Sequence, residues 1–78
     1  MLKYKLIESS DNFVSYRYFP DGKEDYGEIK VSKTTKKIIQ SKLAPNDEFR
    51  WYFLKMYKRI KEFIELGTFR EDGMIAWY

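Results

Sequence analysis

The stretch Phe13-Val14-Ser15-Tyr16-Arg17-Tyr18-Phe19-Pro20-Asp21-Gly22 decides the fold. Its first seven residues are mostly aromatic or β-branched, the side chains that pack best on a pleated surface. Strand side chains alternate between faces, so Val14, Tyr16 and Tyr18 share one side, and Phe13, Ser15, Arg17 and Phe19 the other. Pro20 then fixes φ, Asp21 offers a local side-chain acceptor and Gly22 tolerates positive φ, which ends the strand in a tight turn. A connection that short returns the chain antiparallel.

On the N-terminal side, residues 2–8 form a first strand, closed by Ser9-Ser10-Asp11-Asn12, whose short polar side chains can bond their own backbone. On the C-terminal side, residues 26–32 form the third strand and residues 37–43 a fourth, diluted by Lys37, Gln40 and Lys42. Pro45 holds Ala44 extended, and Asn46-Asp47-Glu48 places capping and acidic groups where a helix exposes free N–H groups, so the helix spans 46–66. Phe49, Phe53, Met56, Ile60, Phe63 and Ile64 recur at steps of three or four and form its apolar stripe, flanked by Tyr52 and Tyr57. Gly67 stands where a left-handed cap belongs, and Phe69 is placed to cover the helix end. Residues 74–78, after Asp72-Gly73, read as a short fifth strand. The expectation is an α+β fold of one domain, 1–78: an antiparallel four- to five-stranded meander packed on one long amphipathic helix, a two-layer sandwich.

A chain of 78 residues is near the size at which one core leaves only about 3 to 5 kcal/mol of stability. Its 44% hydrophobic content is enough to fold, and its 35% charged residues are too mixed in sign for a disordered chain. Cysteine and histidine are both absent, which removes the most reactive nucleophile, the commonest general base and the commonest metal ligand. The lack of cysteine fits a reducing compartment, and no apolar run reaches the roughly 18 residues that span a bilayer; a cytoplasmic protein with no membrane partner is expected. Net charge is +3 and pI about 9.1, which permits anionic partners without demanding them.

The more apolar strand faces should meet the helix: Leu2, Tyr4 and Leu6, then Val14, Tyr16 and Tyr18, then Ile29 and Val31, then Ile39. Burial of each contributes roughly 1.5 to 3 kcal/mol before chain entropy is subtracted. The opposite face collects Lys3, Lys5, Arg17, Lys30 and Lys42 against Glu28 alone, a formal +4, with Phe13, Phe19 and Tyr26 among them. Rings stack bases and cations neutralise phosphates, so Lys3, Lys5, Arg17, Phe19, Tyr26, Lys30 and Lys42 are candidate contacts for single-stranded nucleic acid. The plain alternative is a solvated outer face, with lysine guarding against edge-to-edge pairing.

On the helix, Trp51 and Leu54 fall far from the apolar stripe, and from Arg50 to Lys61 there are five cations and no acid. Trp51, Lys55 and Lys58 align at i, i+4 and i+7. Trp51, Leu54, Lys55, Lys58, Trp77 and Tyr78 are therefore candidate protein or self-association contacts. The alternative covers Trp51 with residues 74–78. Those C-terminal residues either pair with an edge of the meander or add a strand to a partner's sheet, making a dimer.

The isolated glycines, Gly22, Gly27, Gly67 and Gly73, build no phosphate-binding loop. Glu24-Asp25, Asp47-Glu48 and Glu71-Asp72 lack a calcium-loop spacing, and Ser9-Ser10 has no base beside it except lysine. No catalytic, cofactor-binding or metal-binding residue is assigned.

Tyr26-Gly27, Leu43-Ala44, Asp47-Glu48-Phe49, Arg59-Ile60 and Gly67 with Ile75-Ala76-Trp77-Tyr78 resemble the pattern of small bacterial proteins of unknown function, often found in mobile or phage-related gene neighbourhoods. The resemblance spans most of the chain. It implies a meander-plus-helix layout and a bacterial cytoplasmic setting, and it transfers no functional residue. The reading from sequence is a non-enzymatic interaction domain that binds protein and can bind itself, with single-stranded nucleic-acid binding as the alternative.

Overall fold

A computed structural model of the chain describes residues 1–76. Five strands, β1 (Leu2–Ser9), β2 (Phe13–Pro20), β3 (Gly27–Ser32), β4 (Ile38–Lys42) and β5 (Asp72–Ile75), form one sheet in the order β4-β3-β2-β1-β5. Every neighbouring pair is antiparallel. Among the described residues a single helix, α1 (Trp51–Leu66), packs across β1, β2 and β3, completing a two-layer α+β arrangement.

The turns follow from their residues. The Ser10 hydroxyl oxygen accepts from the Asn12 and Phe13 N–H groups, both at 3.2 Å, and folds β1 back onto β2. Asp21 and Gly22 both adopt left-handed φ, 55° and 70°, and the Lys23 N–H donates to the Pro20 carbonyl at 3.1 Å, the geometry favoured where a strand turns sharply. Gly67, at φ 71°, closes the helix through its N–H to the Phe63 carbonyl at 2.8 Å.

Leu2, Tyr4, Val14, Tyr16, Tyr18, Ile29 and Val31 are buried against Phe53, Met56, Ile60 and Phe63 of the helix, as the alternation implies. The ring of Tyr16 lies 5.7 Å from those of Tyr4 and Phe63, and Tyr18 meets Phe53 edge-on at 6.1 Å, favourable arrangements for aromatic quadrupoles. Two of these tyrosines lie over glycines on the next strand. Tyr18 covers Gly27 and Tyr4 covers Gly73, each pair facing across a ladder, so closely that a Cβ on either glycine would overlap the ring.

Four expectations are corrected. The helix begins at Trp51 rather than 46, because Arg50 takes a left-handed conformation, φ 61°, that no α-helix continues through. Phe49 consequently leaves the apolar stripe and is 72% exposed. Ile39 is 55% exposed rather than in the core: a bulge between Lys30 and Val31 sets Ile38 opposite Val31, and all of β4 lies beyond the strands that the helix covers. Leu6 is only half-buried.

Candidate functional site

The start of α1 is built on one carboxylate. Asp47 is buried, and its oxygens accept from the Phe53 N–H at 2.9 Å, the Tyr52 N–H at 3.3 Å and the Tyr18 hydroxyl at 3.4 Å. The Tyr18 oxygen in turn accepts from the Ala44 N–H at 2.9 Å. Burial is the main reason the Tyr18 phenol is pushed up to about 12, with the Asp47 carboxylate adding to it and the Ala44 N–H opposing. The capping function read at residues 46–48 is present, but it reaches the helix from upstream, across the left-handed turn at Arg50. A second carboxylate, Asp21 at the β2 turn, accepts from the Tyr52 hydroxyl at 2.7 Å and lies 3.5 Å from the amino group of Met1. The Tyr52 hydrogen bond holds the Asp21 carboxyl below its ordinary value.

That anchored turn throws two large rings outward. Phe49 and Trp51 are 72% and 67% exposed, and their rings lean together with centroids 5.7 Å apart. Leu54, one turn further along α1, is 56% exposed. Lys55 and Lys58 lie on the same outward side, also exposed. The structure thus brings together four of the six residues expected at a protein contact, and adds Phe49. Trp77 and Tyr78, the other two, lie outside the described residues. The chain just before them, Ile75 and Ala76, runs beside Lys55, Lys58, Arg59 and Glu62. Phe49 was missed because its spacing suits the buried stripe; only the left-handed residue after it takes it out of phase.

β5 answers one question left open by the sequence: over residues 72–75 the C-terminal segment pairs with β1, the free edge of the meander. Met74 therefore stands opposite Lys3 on the outer face, and Trp51 remains uncovered by the described chain.

The outer sheet face is less basic than expected. A bulge in β1 between Leu6 and Glu8 sets Glu8 opposite Ser15, and β5 sets Asp72 opposite Lys5, so both acids join Glu28 on this face. Five cations now face three acids, a formal +2 in place of +4. The candidate nucleic-acid contacts are also occupied with one another. Arg17 lies over the Tyr26 ring at 4.5 Å and reaches Glu28 at 3.3 Å, Lys42 approaches the same ring at 4.8 Å, and Phe19 packs on Tyr26 at 5.9 Å. Lys30 covers Phe13 at 3.9 Å. Lys3 and Lys5 instead border a shallow groove of about 580 Å³ with Phe19 and Met74.

Among the described residues no three acidic side chains gather as a metal site, and no helix is long and apolar enough to cross a membrane. No protein family, curated protein or solved structure matches the chain.

Proposed function

We propose that this is a small, non-enzymatic protein-binding domain, and that its contact surface is the ring pair Phe49–Trp51 with Leu54 at the start of α1. The observation that carries this is the exposure of two large rings held side by side by a turn whose own polar groups are satisfied. An isolated apolar side chain on a surface needs no explanation, but a contiguous exposed group anchored on a rigid element fits an interface. Aromatic anchors surrounded by polar residues are the usual energetic centre of such contacts. A cytoplasmic setting suits the cysteine-free composition.

The sheet face supports nucleic-acid binding less well, because its ring faces are already taken by its own cations and its net charge is halved. A random peptide-display selection on the immobilised domain tests the proposal, with the Phe49→Ala/Trp51→Ala protein as counter-selection. Peptide families enriched on the wild type and lost on the double variant are the expected result. If nothing is enriched, and sedimentation shows a monomer at all concentrations, the proposal fails.

A further inference from the structure

We infer that the occupant of the Phe49–Trp51–Leu54 surface is an acidic protein segment carrying apolar side chains, rather than a second copy of this chain. The inference rests on the protein-binding reading and adds the chemistry of the partner.

The apolar centre is rimmed by Arg50, Lys55 and Lys58, and Glu48 is the exposed acid beside it, a formal +2. Among the described residues Arg50 and Lys58 enter no ion pair. Asp47, the carboxylate nearest the helix start in sequence after Glu48, is buried and turned inward to the Tyr52 and Phe53 N–H groups, so it does not offset this rim from outside.

The order of charge along the helix is a second, independent observation. α1 has no acid in its first turn and no base in its last, and its cations Lys55 and Lys58 precede Glu62 and Glu65. The helix dipole favours the reverse, acids first and bases last. A sequence chosen for helix stability alone would not run this way, and such local conflicts collect at functional surfaces. Glu62 and Glu65 are each paired within the chain, with Arg59 at 3.3 Å and Lys36 at 2.9 Å, so neither is engaged with the exposed Lys58.

Charge complementarity then selects the occupant. A twofold contact brings a patch against itself, so a second copy would set one positive rim against another. A nucleic acid would meet the cations but has no aliphatic side chains to cover Leu54 and the edge of Phe49. An acidic segment with leucine or phenylalanine between its carboxylates satisfies both parts of the surface.

The test is fluorescence-anisotropy titration of the full chain with a labelled 16-residue probe alternating glutamate with leucine or phenylalanine. Its glutamine counterpart and a single-stranded oligonucleotide are titrated in parallel, and sedimentation equilibrium is run on the protein alone. The expected result is binding of the glutamate probe about tenfold or more tighter than the glutamine probe, weakened by added salt. Lys58→Glu should weaken it by about tenfold, and Phe49→Ala/Trp51→Ala should abolish it, both with unchanged circular dichroism. Equal binding of both peptides, lost in the double variant, overturns the acidic partner and leaves the protein-binding reading intact. The same holds if no peptide binds but the chain associates with itself through Trp51. Binding of the oligonucleotide alone, or of nothing with no self-association, overturns both.

Discussion

Replacing Asp47 with alanine removes a group too small to leave a large cavity, and the consequences follow from its hydrogen bonds. Its two oxygens serve the N–H groups of Tyr52 and Phe53 and the hydroxyl of Tyr18. Loss of a helix-capping side chain costs about 1 kcal/mol. Leaving the buried Tyr18 hydroxyl without its acceptor costs a further 1 to 3 kcal/mol, roughly. The sum, about 2 to 4 kcal/mol, is most of the approximately 3 to 5 kcal/mol available to a domain of this size. With a urea slope near 1 kcal/mol/M, the unfolding midpoint should fall by about 2 to 4 M, measured by far-ultraviolet circular dichroism. Asp47→Asn keeps an acceptor oxygen and a good capping residue, so it should lose less than half as much. An alanine variant within about 0.5 kcal/mol of the wild type, or an asparagine variant equally damaged, means that Asp47 does not brace the helix through these bonds.

Gly27→Ala places a Cβ inside the Tyr18 ring and should cost about 1 to 3 kcal/mol, whereas Gly67→Ala meets open space and should cost only the roughly 1 kcal/mol of a left-handed φ; equilibrium unfolding of both decides, and a neutral Gly27→Ala contradicts the packing. Trp51→Ala should change stability by no more than about 0.5 kcal/mol, because the ring is 67% exposed; a larger loss in the same urea assay means the ring is structural. At high pH the sign follows from the tyrosines: burial raises Tyr18 to about 12, above its ordinary 10.0, and raises Tyr16 further. A folded value above the unfolded one means stability intact below pH 10 and lost as pH rises toward 12. Tyrosinate absorbance should therefore show a late fraction that ionises only as circular dichroism is lost; ionisation of all seven tyrosines with the fold intact is the contrary outcome.

The strands were readable because each alternates clearly and ends in turn chemistry that names its own geometry, as Pro20-Asp21-Gly22 does. What was hidden is everything that shifts phase. Two bulges, at Ile7 and near Ile38, each move one residue across the sheet, which carries Glu8 onto the outer face and Ile39 out of the core. Nothing in a period-two pattern marks such an insertion. The left-handed Arg50 is the same kind of event at the helix: arginine is not a residue that announces positive φ, so Asn46-Asp47-Glu48 looked like the first turn instead of a brace beneath it. The candidate surface was partly legible, since Trp51 and Leu54 lie off the stripe at any plausible helix start. Phe49 was not, because its exposure depends on that one backbone angle.

The tyrosines laid over glycines tie together positions that are far apart in the chain. With Tyr18 in place, residue 27 has no room to vary, and with Tyr4 in place neither has residue 73. Each pair must therefore mutate as a unit: a larger residue at 27 is tolerated only if the ring at 18 shrinks, which at once releases the Ala44 N–H and Asp47 that its hydroxyl holds. A drifting sequence that keeps this fold is locked most tightly at two residues whose side chains are a single hydrogen.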